Sequence, residues 1–450
     1  MIPVATPEEM GAIDAAAPEP VEVLIERAGA AVARAAARAL GGTYGRRVVV
    51  VAGKGNNGND GRSAAARLRR RGVRVHVLDA ADLSERLPAA DLVIDAAYGT
   101  GFRGTWDPPP ASAPVLAVDI PSGVDGLTGE AHGAPWTAQR TVTFAALKPG
   151  LLFADGPERT GTVEVADIGL DTAAARAHVV EAADVAAWLP RRDRTGHKWQ
   201  AALRVVAGSP GMTGAAHLVA GAAFRAGAGY VTLSSPGLDD DPGAPTEVVG
   251  RRLAAEGWAA AALDGADRHG ALAVGPGLGP AEATRAEVRR LVAEWPGPVV
   301  VDGDGLTALG DSVAEVVGRR AHPTVLTPHE GEFARLAGSP VGPDRLAEVR
   351  GLAARSGAVV LLKGPTTVVA DPAGGVLLST TGDARLATAG TGDVLTGIVG
   401  ALLAAGVPPA RAAAAGAFLH GRAGAVGFAH GLVARDLLDR LPIVLDLLQE

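Results

Sequence analysis

The polar chemistry of this chain is concentrated where apolar runs end in glycine-rich segments. Residues 48–52 lead into Gly53-Lys54-Gly55-Asn56-Asn57-Gly58-Asn59-Asp60-Gly61. Leu92-Val93-Ile94-Asp95 leads into Ala96-Ala97-Tyr98-Gly99-Thr100-Gly101-Phe102-Arg103-Gly104-Thr105, and Leu116-Ala117-Val118-Asp119 into Ile120-Pro121-Ser122-Gly123-Val124-Asp125. Backbone amides at a strand-to-helix junction can meet an anion. Amide and carboxylate oxygens such as those of Asn56, Asn57 and Asp60 can coordinate a hard cation or fix a sugar hydroxyl. The first segment matches Gly-x-Gly-x-x-Gly only at its first, third and sixth positions, and a turn that merely tolerates positive φ is the plainer alternative for it.

The second half carries its own set. Ala389-Gly390-Thr391-Gly392-Asp393 precedes the apolar residues 394–403. Glycines at a helix start leave amide donors free to gather round a transferring phosphoryl group, and Asp393 can take the proton of an attacking hydroxyl; the alternative is Asp393 as a simple N-cap. Ahead of it come Gly208-Ser209-Pro210-Gly211-Met212-Thr213-Gly214-Ala215, Gly275-Pro276-Gly277-Leu278-Gly279, Val301-Asp302-Gly303-Asp304-Gly305, Thr327-Pro328-His329-Glu330-Gly331-Glu332 and Lys363-Gly364-Pro365-Thr366-Thr367. Each follows a buried strand, so the composite reads as a nucleotide and phosphate site. Gly-x-x-x-x-Gly-Lys-Ser/Thr does not occur, which excludes an ordinary P-loop enzyme.

Such loops need parallel strands to present them. Apolar runs predict strands at 47–52, 73–78, 92–95, 115–119, 141–144 and 162–165, then at 202–207, 230–233, 271–274, 299–301, 324–326, 359–362 and 367–370. Helices are predicted at 21–40, 62–71 and 394–403, with Thr6 capping another at the start. Alternation of this kind predicts an α/β protein with doubly wound parallel sheets, whose ligand crevices lie beyond the strand C-termini. Apolar periodicity lapses around 189–196, which predicts two domains, residues 1–190 and 195–450. Arg67, Arg69, Arg70 and Arg71 read as a solvated helix end.

Composition narrows the chemistry. The 450 residues include 42 Lys and Arg against 49 Asp and Glu, a net charge of −7 that argues against a general nucleic-acid or membrane-surface binder. Cysteine is absent, which removes disulfides, thiolate nucleophiles and Cys-based metal sites. Aromatics are only 4%, leaving few platforms for single-stranded nucleic acid. No basic-then-apolar leader opens the sequence, so a cytoplasmic location is expected.

Gly-x-Gly-Asn-Asn-Gly-x-Asp-Gly, Asp-x-x-x-Gly-Thr-Gly and Val-Asp-Ile-Pro-Ser-Gly-x-Asp, with Glu26-Arg27-Ala28-Gly29 upstream, resemble the NAD(P)HX epimerase family over about residues 1–190. The resemblance implies a Rossmann-like three-layer domain. It implies potassium on Asn57, Asp95 and Ser122, and a hydrated nicotinamide nucleotide on Asn56, Asn57, Gly58, Asn59 and Asp60, on Gly99, Thr100, Gly101, Phe102, Arg103, Gly104 and Thr105, and on Asp119. Asp119 is then the candidate acid/base for epimerisation, with Lys148 either assisting or a surface or structural lysine. Asn59 departs from the family's glycine.

Over about residues 195–450, Thr-Pro-His-x-Gly-Glu, Leu-Lys-Gly and Gly-Thr-Gly-Asp resemble the ADP-dependent NAD(P)HX dehydratases, a ribokinase-like branch. That implies a ribokinase-like three-layer domain in which ADP phosphorylates the ring hydroxyl of the S hydrate and loss of phosphate restores NAD(P)H. Asp393 would be the base. Ala215, Gly277 and His329 would hold the hydrate with Asp393, while Lys363, Gly364, Pro365, Thr366, Thr367 and Gly392 would lie on the adenine nucleotide, with magnesium. His329 has the alternative of a helix cap, and His420 reads as a helix-packing residue. Trp199 and Glu330 depart from the family's usual glycine and proline, and a differently shaped loop is expected from them. A homo-oligomer is expected. One other reading stays open: an ATP-dependent small-molecule kinase fused to a non-catalytic binding module, since the superfamily shares the Gly-Thr-Gly-Asp arrangement.

Overall fold

The computed structural model describes residues 1–191 and 194–449. Arg192 and Asp193, within the predicted domain-boundary segment, lie outside the described residues. Two compact units divide between Ala177 and His178, with Met1 counted in the second. Residues 178–190 therefore go with the second unit: the Val180 N–H donates to Leu378 O, and Val180 and Val185 join that unit's apolar core.

The first unit is a parallel six-stranded sheet in the order Arg74–Asp79, Arg47–Ala52, Leu92–Ala96, Val115–Val118, Arg140–Phe144, Thr162–Ala166. The chain leaves Arg47–Ala52 towards one edge and returns on its other side through Leu92–Ala96, so the topological switch point lies between these two strands, where a ligand crevice is expected. Four consecutive valines, Val48–Val51, are fully buried because the sheet is covered on both faces. Helices Val21–Ala39 and Asn56–Arg70 pack together on one face, their small residues allowing close approach; a Cβ on Gly29 would fall 2.4 Å from Ser63 Cβ.

The start of one helix differs from the sequence prediction at the site itself. The helix expected from Arg62 begins at Asn56, so Asn56 to Asp60 form its first turn instead of a loop. The glycines explain how. A Cβ on Gly58 would lie 1.9 Å from Gly53 O, one on Gly53 1.9 Å from Ala97 O, and one on Gly61 2.5 Å from Ala96 Cβ. Only glycine lets the helix start directly against the strand ends, with its first amides at the crevice.

The second unit's sheet includes, in order, Val376–Ser379, Thr367–Ala370, Val359–Leu362, Thr324–Leu326, Val299–Val301, Ala271–Val274, Ala202–Val206, Tyr230–Ser234, Val249–Gly250. It is parallel from Val359–Leu362 to Val249–Gly250, and strands 359–362, 367–370 and 376–379 pair antiparallel in succession. Its switch point lies between Ala202–Val206 and Ala271–Val274. Helix Thr391–Ala404 is buried along nearly its whole length beneath Thr213–Arg225 and Pro409–Ala425. Among the described residues no helix is long and apolar enough to cross a membrane.

Candidate functional site

In the first unit a cavity of about 650 Å³ opens at the switch point. Gly55, Asn56, Asn57 and Asp60 line it from the helix start, Gly99, Thr100, Gly101, Phe102 and Arg103 from the loop after Leu92–Ala96, and Asp119 and Lys148 from the next two strand ends. Gly58, Asn59, Gly104 and Thr105 are not in its lining. Gly58 abuts the Gly53 backbone, and Thr105 Cγ2 lies where a Cβ on Gly133 would intrude. Phe102 stacks on Tyr98 with ring centroids 4.2 Å apart, which braces this loop.

Asp119 is half-buried in the cavity wall. Its Oδ1 accepts from Lys148 Nζ at 2.5 Å and from Thr143 Oγ1 at 3.1 Å. Lys148 is itself buried, which removes the surface-lysine reading. A Cβ on Gly99 would lie 3.7 Å from Asp119 Oδ2 and 3.6 Å from Asn57 Cβ, so these three residues share one corner of the cavity. The sequence reading overlooked Asp14, which reaches the same cavity from helix Pro7–Ala15.

Asp60 carries the largest electrostatic penalty in this cavity. Burial, followed by the negative charges of Asp119 and Asp14, pushes its pKa up to about 8, so it is mostly protonated at neutral pH. A carboxyl raised this far contributes stability that is present below about pH 4 and lost as pH rises through about 8. Asp60→Asn removes the titration. The first unit of the variant should therefore melt at the same temperature as wild type near pH 4 but several degrees higher at pH 9, as read by thermal melts at the two pH values.

Asp95 and Ser122 sit behind this cavity. Asp95 is wholly buried, accepts from Ser122 N and Oγ at 2.9 and 2.6 Å, and has no cationic partner among the described residues. Burial raises its pKa. Both polar atoms of the buried Asn57 carboxamide lack hydrogen-bond partners. An orphaned amide oxygen and a buried carboxylate without a cationic partner are both donor types that suit a monovalent cation held by oxygen.

In the second unit the loops after successive strands converge. Lys363 Nζ donates to Asp302 Oδ1 at 2.6 Å, and Thr396 Oγ1 to Asp302 Oδ2 at 2.6 Å. A Cβ on Gly392 would lie 3.3 Å from Lys363 Nζ, placing the Gly-Thr-Gly-Asp turn directly over this pair. Gly390, left-handed at φ +87°, is the N-cap of helix Thr391–Ala404, so Asp393 is a first-turn residue and not the cap. Burial raises the Asp393 pKa to about 7, with Asp302 and Asp304 adding to the rise and Lys363 opposing it. Asp302 is expected from the sequence only as part of its loop at the nucleotide and phosphate site, without a role of its own, and Thr396 only as part of the apolar run after Asp393; the structure joins the two through Asp302 Oδ2.

Ala215 and Gly277 are neighbours, a Cβ on Gly277 falling 3.1 Å from that of Ala215. His329 caps helix Glu330–Ala337 through Nδ1, which accepts from Gly331 and Glu332 N–H at 3.0 and 3.3 Å, while Nε2 of the exposed ring lies 3.5 Å from Glu332 Oε2. Glu332 Oε2 lies 4.0 Å from Lys363 Nζ, joining His329 to the same cluster. Thr367 Oγ1 donates to Gly364 O at 3.2 Å, and a Cβ on Gly382 would sit 3.1 Å from Pro365 O, so residues 363–367 are packed against their own hairpin. His420 is fully buried, neutral with a pKa lowered to about 4 by burial, and hydrogen-bonds the Thr391 backbone; it braces the glycine turn as well as packing its helix. Trp199 stacks with Tyr230 at 4.3 Å, ahead of the strand Ala202–Val206 and at the end opposite these loops. It therefore does not shape the site. Glu330 pairs with Arg345 at 2.7 Å on the exposed start of its helix.

Comparison with known proteins separates the readings. Residues 203–442 match the family model described as NAD(P)H-hydrate dehydratase, and residues 21–87 and 79–150 match that of the YjeF-related protein N-terminus. The bifunctional NAD(P)H-hydrate repair enzyme Nnr of Moorella thermoacetica is 38% identical over 99% of this chain and 97% of its own. The chain belongs to the bifunctional NAD(P)H-hydrate repair enzymes. The relative of that name from Mycobacterium leprae is 43% identical over 91% of this chain and 90% of its own. Among solved structures, the ADP/ATP-dependent NAD(P)H-hydrate dehydratase of Bacillus subtilis, co-crystallised with ATP and Mg2+, is 31% identical with a TM-score of 0.50, over 60% of this chain and 97% of that one. A ribokinase-like superfamily protein of Enterococcus faecalis, 21% identical with a TM-score of 0.53, shares the fold of the second unit. A repair enzyme with both halves in one chain accounts for the two loop-built sites at once, which the kinase reading does not.

Proposed function

We propose that the first unit interconverts the R and S epimers of hydrated NADH and NADPH, and that the second dehydrates the S form at the expense of ADP. The observation that carries this is the presence, in one chain, of two strand-end sites, each centred on a half-buried aspartate. In the first, Asp119 moves a proton at the hydroxyl of the ring carbon, while Asn56, Asp60 and the 99–103 loop bind the nucleotide. Asn57, Asp95 and Ser122 would hold potassium, a fit supported by the orphaned Asn57 carboxamide. Bound there, potassium would supply fixed positive charge beside the ligand.

In the second site Asp393 accepts the hydroxyl proton as that oxygen attacks the terminal phosphoryl of ADP. The new O–P bond forms as the bond to the AMP oxygen breaks. Phosphate then leaves carbon with the C–O bonding pair, and loss of a proton from the adjacent carbon closes the double bond. Lys363 and the Gly390–Gly392 amides face the transferring group, and Asp302 with Thr396 fixes the lysine. Ala215, Gly277 and His329 lie against the hydrate. Magnesium would come with the nucleotide's phosphates, where its ordinary need is for water and at most one or two protein carboxylates. A cytoplasmic homo-oligomer is part of the proposal.

The test is to incubate the full chain with mixed R and S hydrates, ADP and magnesium, and to follow the reduced-nicotinamide absorbance. Complete recovery of both epimers is expected. Recovery stopping at the S fraction would refute the epimerase assignment, and a stable phosphorylated product made only with ATP would favour a kinase.

A further inference from the structure

Lys148 is buried and charged beside Asp119, yet nothing in the chemistry above uses it. Its three ammonium hydrogens are all engaged: Asp119 Oδ1 at 2.5 Å, Thr143 Oγ1 at 2.8 Å and Phe144 O at 3.1 Å. No hydrogen remains for a ligand, so the lysine is not itself a proton donor to substrate. Thr143 Oγ1, which accepts from the lysine, passes its own hydrogen to the same Asp119 Oδ1. Both donors thus converge on one carboxylate oxygen. The other, Oδ2, faces the corner shared by Gly99 and Asn57.

The backbone is arranged for this contact. Asp119 and Ala145 follow adjacent parallel strands in register Val118↔Val142, and both adopt left-handed conformations, φ +68° and +61°. Alanine in that region costs about 1 kcal/mol. Ile120 N donates to Val118 O at 2.9 Å and Ala146 N to Phe144 O at 2.7 Å, closing a tight turn at each residue, and Asp119 N donates to Val142 O at 2.7 Å, tying the two strand ends together. Together they bring Lys148 under the aspartate. Around them stand the carboxyls of Asp60, from helix Asn56–Arg70, and Asp14, from helix Pro7–Ala15, and Lys148 is the cation both of them feel.

We infer that Lys148 and Thr143 form a clamp on Asp119 Oδ1 that presents Oδ2 alone to the substrate, making Lys148 a positioning residue of the epimerase site. The inference rests on the reading of Asp119 as the acid/base. An aspartate without the clamp could still meet the hydrate, but in a spread of orientations. Binding would survive and turnover would fall.

The experiment uses the full chain without ADP, so that only epimerisation runs, with R and S hydrates separated chromatographically and kcat and KM taken from the initial rates. Adding ADP and magnesium then measures dehydration by the second unit as an internal reference. Lys148→Met should lower the epimerisation kcat about 100-fold with KM within about threefold, the loss expected when a catalytic group is displaced by an ångström or so. In Lys148→Ala, ethylammonium should recover a substantial part of kcat, because a free ammonium can occupy the vacated space. Thr143→Val, which keeps the lysine and tests the clamp even if the Lys148 variants fail to fold, should lose about tenfold in kcat by the same displacement. An unchanged kcat in a folded Lys148→Met or Thr143→Val protein, or a loss confined to KM, overturns the clamp. Asp119→Asn separates the two levels: if it still epimerises, the reading of Asp119 falls, whereas if it is inactive and the clamp variants are not, only the clamp falls.

Discussion

Asp393→Ala should abolish ADP-dependent dehydration while epimerisation in the same chain continues at the wild-type rate. The expected loss is about 10³-fold in kcat, the scale of a positioned base. Nucleotide binding should remain, because Lys363, Asp302 and the glycine turn do not depend on this carboxylate. A second signature comes from its titration. Burial and the neighbouring aspartates hold Asp393 near pH 7, so the proton blocks its role as base below that value and leaves above it. The dehydration kcat/KM should climb tenfold per pH unit on the acid side and level off above about pH 7 to 8. Undiminished turnover in Asp393→Ala, or an acid limb with its midpoint near pH 4, would show that another group takes the proton.

Much of this arrangement is readable in the residues, because strands buried on both faces leave uninterrupted apolar runs and the loops after them are dense in glycine. Val48–Val51 and Val299–Val301 identify their strands without ambiguity. The short strand Val376–Ser379 escaped, since its pairing with Thr367–Ala370 is set by a hairpin and not by any periodicity. The start of helix Asn56–Arg70 also escaped: asparagine and glycine are poor helix formers, and what makes them helical is tertiary, the contact of Gly58 with Gly53 O. Partner choice is the least legible level. Asp302 and Thr396 are 94 positions apart and Asp119 and Lys148 are 29 apart, and spacing says nothing about which carboxylate will meet which donor. Trp199 shows the converse. It departs from the family pattern, yet the strand carries it to the end remote from the site, where its stacking on Tyr230 gives it an ordinary packing role.

Asp119→Asn tests the first unit with the smallest possible change. Asparagine tolerates the left-handed backbone that residue 119 adopts, and its amide oxygen can still accept from Lys148 and Thr143. What it cannot do is take a proton. Epimerisation should therefore fall about 10³-fold, and with ADP present the recovery of reduced nucleotide should stop once the S form is consumed. Loss of the carboxylate also leaves the buried Lys148 ammonium without its counter-charge, and breaking one side of a fully buried pair costs roughly 3–5 kcal/mol, less here because Asp119 is partly exposed. The first unit of Asp119→Asn should accordingly melt earlier than wild type, while the double variant Asp119→Asn with Lys148→Met, which removes the stranded charge, should regain much of that loss and stay inactive. Chromatography of the two epimers and a melt of each variant separate the chemical effect from the structural one. A double variant that regains stability and epimerisation together would mean that Asp119 had served the fold and not the reaction.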